Sequence, residues 1–183
     1  MLYHDVLRFL DPTAKTLLID GRSGSGKSTL AAQICTVWKK SLILKMDDIY
    51  PGWKGLAWAT KHLQKSILEP RSIGYNGLCR QWCWETYKPS YWQVIAPQQR
   101  LIIEGTGTLT LATKLISDLN IWVEVDDLER KRRVANRDIY FNSLYWKIWA
   151  EQEVKFINQF QPKQCADLIA KNNKNKFEIQ MLY

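Results

Sequence analysis

The residues Gly21-Arg22-Ser23-Gly24-Ser25-Gly26-Lys27-Ser28, followed by Thr29, fit the pattern G-x-x-x-x-G-K-[ST], the spacing of a phosphate-binding loop. The residue types explain the chemistry. A polyphosphate requires a concave run of backbone N–H groups, and Gly21, Gly24 and Gly26 permit tight turns that a Cβ would obstruct. Lys27 sets a positive charge beside the outer phosphates, and the Ser28 hydroxyl suits Mg²⁺. The first N–H groups of the helix that should follow point at the same anion. Gly21, Ser23, Gly24, Ser25, Gly26, Lys27, Ser28 and Thr29 are therefore the expected nucleotide-binding set.

Three other groups of residues could join this chemistry. Asp47 and Asp48 close the apolar run Ser41–Met46, and Glu104 closes Leu101-Ile102-Ile103. In an open α/β sheet, ligands collect at the carboxyl ends of the strands, so Asp47 and Asp48 are placed either for chemistry or as a solvated turn. A carboxylate in the position of Glu104 suits Mg²⁺, directly or through water. The third group is Glu129-Arg130-Lys131-Arg132-Arg133 with Arg137-Asp138. On a helix Arg130, Arg133 and Arg137 share a face, where guanidinium groups repel one another unless an anion answers them. A lid over transferring phosphates and a solvated or nucleic-acid-facing helix both satisfy that pattern.

The positioning elements follow from apolar patterning. Thr16–Asp20 reads as a buried strand before the loop and Thr29–Trp38 as the helix after it, with Leu30, Ile34 and Val37 on one face. Ser41–Met46, Leu101–Ile103, Ile121–Val125 and Ala166–Ala170 read as further strands, with a terminal strand over Phe177–Leu182. Helices are predicted over Leu2–Leu10, Leu56–Leu68 (stopped by Glu69-Pro70), Leu109–Leu119 and Ser143–Phe160. The least regular region is 71–99, where Tyr75, Trp82, Trp84, Tyr87, Tyr91 and Trp92 could stack a planar substrate or form a satellite core. One domain spanning 1–183, with a lid near 127–142, accounts for the whole.

Composition adds bounds. The chain of 183 residues carries a formal charge of +8, which suits a protein that handles anions without saying which. No run approaches the ~20 apolar residues of a membrane span, and no charged-then-apolar leader opens the chain, so a cytoplasmic location is expected. Four cysteines show no disulfide framework, and Cys79-x-x-x-Cys83 lacks a second ligand pair.

The order of these parts resembles the uridine kinase and phosphoribulokinase group of P-loop kinases, which includes pantothenate kinase, over most of the chain except about 71–99. The resemblance rests on G-x-S-G-S-G-K-[ST] at Gly21–Ser28, Asp47 with Tyr50, the E-G at Glu104-Gly105, and R-x-x-R-x-x-x-R-D at Arg130, Arg133, Arg137 and Asp138. P-x-x-x-x-A-D-[LIV]-I at Pro162–Ile169 adds to it, and Tyr50–Trp53 is similar to a uridine-kinase-like branch known only as ATP-binding. The lid lacks the group's later G-R-D. The group's Tyr-Asp pair before the E-G strand has Trp82-Cys83-Trp84-Glu85 as its nearest counterpart.

What the resemblance implies is a three-layer α/β/α P-loop NTPase fold with a mainly parallel central sheet and a helical lid. It implies a phosphotransferase passing the γ-phosphate of ATP·Mg²⁺ to a hydroxyl of a nucleoside or other small metabolite. Lys27, Arg130 and Arg133 would stabilise the phosphates, Asp47 would act as base, and Ser28 and Glu104 would serve the metal. Asp47, Tyr50, Trp84, Glu85 and Arg137 would line the acceptor side. A different class also fits the charge and the aromatics: an ATP-binding nucleic-acid-associated or regulatory switch that phosphorylates nothing. A degenerate kinase that only binds ATP is a third.

Overall fold

The computed structural model describes residues 3–137, 144–174 and 176–182, without the side chains of Tyr3 and Arg137. Among the described residues, six strands form one sheet in the order β2-β5-β1-β6-β7-β8. They are β1 (Thr16–Asp20), β2 (Ser41–Lys45), β5 (Arg100–Glu104), β6 (Leu119–Glu124), β7 (Leu168–Asn173) and β8 (Lys176–Met181). All neighbours pair in parallel except β7 with β8, which form an antiparallel hairpin.

Period-2 alternation divides the central strands between two apolar layers. Leu17, Ile19 and Ile102 face Leu30, Ala31 and Ile34 of helix α1 (Lys27–Val37) together with Val6 of the 3₁₀ segment Tyr3–Phe9. Leu18, Leu101 and Ile103 face the opposite layer, built from α2 (Leu56–His62) and the helices that follow. This is an α/β/α sandwich with its parallel strands buried on both faces, the condition under which such sheets are stable.

Three segments depart from expectation. The helix begun by α2 does not stop at Glu69-Pro70: it widens into a π-helical stretch, Leu63–Leu68, and continues as α3 (Glu69–Ser72). Pro70 has no N–H and would clash with the carbonyl four residues back in a regular helix; the wider π turn ahead of it relieves that conflict.

The region 71–99 holds an antiparallel hairpin, β3 (Gly77–Cys83) and β4 (Lys88–Ile95), with a bulge between Arg80 and Trp82. Its inner face buries Cys79, Gln81 and Ile95. The run Tyr91-Trp92-Gln93-Val94-Ile95 carries the aromatic and β-branched signal of a strand.

Only Leu111–Lys114 of the expected Leu109–Leu119 helix forms, as α4, capped by a Thr110–Thr113 capping box. The Asp118 carboxylate takes the N–H groups of Lys15 and Thr16 at 2.8 Å each, drawing the chain back to the amino end of β1 before a longer helix can form.

The lid region begins as α5 (Asp127–Arg137), with Asp126 accepting the N–H of Leu128 and of Glu129 at its start. Asp138 and the rest of the expected lid lie outside the described residues. Beyond them come α6 (Leu144–Phe160) and α7 (Pro162–Cys165). Asp167 then pins β6 to β7 by accepting the backbone N–H and side-chain amide of Asn120, both at 2.9 Å. No helix among the described residues is long and apolar enough to cross a membrane.

Candidate functional site

The segment Gly21–Ser28 joins the end of β1 to the start of α1, at the carboxyl end of the sheet. Gly26 is the N-cap of α1 at φ 100°, with no side-chain cap on the first turn. A Cβ there would be strained and would run into the Asn172 side chain. That side chain donates to the Ser25 carbonyl at 2.7 Å. The first turn of α1 carries no acidic residue and opens on Lys27, a cation where the helix dipole favours an anion. Lys27 Nζ donates to the Arg22 carbonyl at 3.1 Å. Ser25 Oγ is buried without a hydrogen-bond partner. An uncapped helix start, a lysine at its mouth and an orphaned hydroxyl together fit an anion.

The acids take their places through strand register. Glu104 pairs with Ile19 of β1 on one side and with Lys45 of β2 on the other, so Asp47, two residues past Lys45, stands at the same end of the sheet. Burial raises the Glu104 carboxyl above the usual carboxylate range, while the Lys27 charge and a hydrogen bond with the Ser28 side chain pull it back. A hydroxyl and a carboxylate at the same end of the sheet are a hard-oxygen pair of the kind Mg²⁺ takes from proteins. Residues 46–48 form a 3₁₀ turn that leaves Asp47 exposed and buries Met46.

Two residues essential to this arrangement were absent from the sequence reading. Asp20 is fully buried and accepts the N–H groups of Gly21, Gly107 and Leu109, tying the loop to the segment after β5. Burial pushes its carboxyl up to about 6, against the pull of those three N–H groups and of Lys27. Its signal in the sequence was an acid at the buried end of a strand, directly before the first loop glycine. Glu153 on α6 is the second: its Oε1 accepts the Ser23 N–H at 2.7 Å and its Oε2 accepts Arg22 Nε–H at 2.8 Å. Nothing in the local sequence links a helical glutamate to a loop 130 residues earlier.

Arg130, Arg132 and Arg133 of α5 are already answered. Arg130, 3% exposed, donates from Nε and Nη2 to Asp127 and from Nη1 to the Ser23 carbonyl at 3.2 Å. Arg133 donates to Glu129 at 2.8 Å. Carboxylates of the same helix thus supply the counter-charge for two arginines of that face, Arg130 and Arg133. Those bonds, with nearby cations, hold the Asp127 and Glu129 carboxyls down to about 2 each. Arg137 ends the helix, and its side chain is outside the described residues. Beyond Arg130 a cleft of about 580 Å³ runs alongside the loop, lined by Arg22, Ser25, Asp126, Asp127, Lys171 and Asn173 among others.

On the other side of Asp47 the aromatic residues separate into two groups. Trp84 Nε1–H donates to the Asp47 carbonyl at 2.8 Å, and its ring meets Trp53 edge-on at 5.3 Å between centroids. Trp53 stacks on Tyr145 of α6 at 5.8 Å, and Tyr87 packs where a side chain at Gly52 (φ 72°) would stand. Tyr50 is buried, donates its hydroxyl to the Thr106 carbonyl at 2.7 Å and meets Trp149 edge-on at 4.7 Å. The second group faces away: Trp92 sits over Arg80 and beside His62, and Tyr75 and Tyr91 are exposed. Trp84 is thus brought to Asp47, whereas Glu85 stands exposed on the hairpin turn.

No protein-family model and no curated protein sequence matches the chain. Solved structures do. A possible uridine kinase from Bacillus stearothermophilus superposes with a TM-score of 0.65 at 19% identity, covering 91% of this chain and 94% of that one. A candidate fructose transport system kinase from Silicibacter sp. TM1040 superposes with a TM-score of 0.55 at 18% identity, covering 90% of this chain and 92% of that one. The chain has the fold of the P-loop kinases, an α/β fold with a mainly parallel six-stranded sheet.

Proposed function

We propose that the protein is an ATP-dependent phosphotransferase acting on a hydroxyl of a nucleoside or other small metabolite. The observation that carries this is the strand register that sets Glu104 beside the β2 end bearing Asp47, at the end of the sheet where the Gly21–Ser28 loop joins β1 to α1. A donor side and an acceptor side then meet at one sheet edge. The likeness in fold to a possible uridine kinase supports the same class.

The roles follow from chemistry. The open first turn of α1 and the Ser25 hydroxyl would bind phosphate oxygens, and Lys27 would leave the Arg22 carbonyl to neutralise their charge. The cleft beside Arg130 would take the rest of the nucleotide. Ser28 and Glu104 would hold Mg²⁺, whose charge neutralises that of the transferring phosphoryl group. Asp47 would orient the acceptor hydroxyl and take its proton, with Tyr50, Trp53 and Trp84 shaping the space around it. Arg133 would close over the phosphates by exchanging its Glu129 partner for the more highly charged anion, and Arg137, at the end of α5, would face the acceptor. Arg130 would keep the loop's Ser23 carbonyl in place. Rate enhancement of this kind is mostly positioning and electrostatics.

The test is a screen of nucleosides and small hydroxylated metabolites for acceptor-dependent ADP release, followed by Lys27→Ala and Asp47→Asn. Each substitution is expected to lower turnover by orders of magnitude, with Asp47→Asn leaving ATP affinity nearly intact. Near-normal turnover in Asp47→Asn would remove the proposed base. ATP binding with no acceptor-stimulated release would favour a nucleotide switch or an ATP-binding protein without transfer activity.

A further inference from the structure

Apart from the residues assigned to nucleotide or acceptor, one helix face converges on the phosphate loop. On α6, Tyr145, Trp149 and Glu153 recur at four-residue intervals and so lie along one side of the helix. Trp149, 7% exposed, donates Nε1–H to Ser23 Oγ at 2.8 Å. Glu153, 1% exposed, accepts the Ser23 N–H at 2.7 Å. Arg130 of α5 donates to the Ser23 carbonyl at 3.2 Å. Every polar group of Ser23, in the first half of the loop, is therefore held by side chains from two helices far along the chain.

A buried carboxylate costs desolvation that an apolar side chain would avoid, so its presence calls for a reason. Ser23 and the loop's glycines have a large conformational freedom to lose on binding a phosphate. Holding them beforehand lowers that cost. We propose that Trp149 and Glu153 are positioning residues of the phosphate loop: they act through Ser23 and Arg22, touch no nucleotide themselves, and set the loop before the nucleotide arrives. The consequence for turnover rests on the phosphotransferase function proposed above; the consequence for binding needs only a nucleotide.

A double-mutant cycle tests this with Mg·ADP as the probe and calorimetric affinity as the readout. Trp149→Phe keeps a ring toward Tyr50 but removes the donor to Ser23 together with part of the buried indole, and Ser23→Ala removes the acceptor, so that their coupling isolates the bond from the packing loss. Each single variant is expected to weaken ADP binding about two- to tenfold, the range set by one hydrogen bond. The double variant should bind no worse than the weaker single, because both changes delete the same bond. Additive losses, or wild-type affinity in Trp149→Phe, would overturn the assignment.

Hydrogen exchange gives a second readout that packing alone would not move. In the absence of nucleotide, peptides covering Ser23–Ser25 should lose protection in Trp149→Phe and in Glu153→Gln while the sheet strands keep theirs. Unchanged protection of the loop in Trp149→Phe counts against the assignment even if Glu153→Gln does not fold. A wild-type protein that bound no ADP would remove the proposed function as well. Binding by wild type and Trp149→Phe alike would remove only this assignment.

Discussion

The indole of Trp84 hydrogen-bonds to the backbone carbonyl of Asp47 at 2.8 Å, joining the tip of the β3–β4 hairpin to the turn that carries the proposed base. The bond ties together two segments 37 residues apart. It gives the hairpin a stake in the geometry of Asp47.

Trp84→Phe keeps a ring edge against Trp53 and removes this bond. A lost neutral hydrogen bond corresponds to about 1 kcal/mol, so KM for the acceptor identified by the screen should rise about fivefold. ADP affinity should not change. Steady-state kinetics and calorimetry on the same preparation check both halves.

Gly26→Ala should weaken nucleotide binding about five- to thirtyfold, since a left-handed conformation costs an L-residue about 1–2 kcal/mol. The new Cβ also meets Asn172, whose amide secures the Ser25 carbonyl. Calorimetry with Mg·ADP measures the loss. Retained affinity would mean that the loop tolerates a different path into α1.

Asp20 makes stability depend on pH in a defined direction. Its carboxyl moves from an ordinary 3.8 to about 6 on folding. A group whose pKa is raised on folding contributes stability that is full below its unfolded value and lost as pH rises through the folded one. The wild type should therefore lose, from this group, about 2 kcal/mol between pH 4 and pH 6, out of about 3 kcal/mol over the whole titration. Asp20→Asn should lack that decline, so its stability relative to wild type improves across the same window and levels off above it. Urea unfolding at pH 4.5, 5.5 and 7 reads the difference.

Thiol chemistry reports on the hairpin. Burial pushes the Cys79 thiol up to about 12, whereas hydrogen bonds with Thr86 bring the half-buried Cys83 below the usual thiol value. A maleimide at pH 7.5 should modify Cys83 well before Cys79. Peptide mapping after timed quenching distinguishes them, and equal rates would contradict the inner placement of Cys79 on β3.

Local chemistry made much of this protein legible. A buried strand, three glycines with a Lys-Ser pair, and an apolar helix need only their near neighbours to specify a loop, because turn geometry and helix initiation are set within a few residues. Asp47 and Glu104 were readable for the same reason, each closing an apolar run of strand length. Local signals misled where distant groups competed. Pro70 suggested a helix end that a π-helical stretch carries through, and the bonds from Lys15 and Thr16 to Asp118 cut the helix before β6 short.

What only the tertiary structure decided is who answers whom. Parallel strands are joined by crossovers, so the order β2-β5-β1-β6 and the register that aligns Glu104 with Lys45 depend on contacts remote in sequence. Arg130 and Arg133 promised an anion, and the fold supplied Asp127 and Glu129. Glu153 and Trp149 read as an acid and an apolar residue of a long helix until packing carried them to Ser23. A hydrogen bond between residues more than a hundred positions apart has no periodicity to betray it; it exists because α6 buries Trp149 and Phe156 in the layer that holds Leu18 and Ile103, which brings Glu153 to the loop.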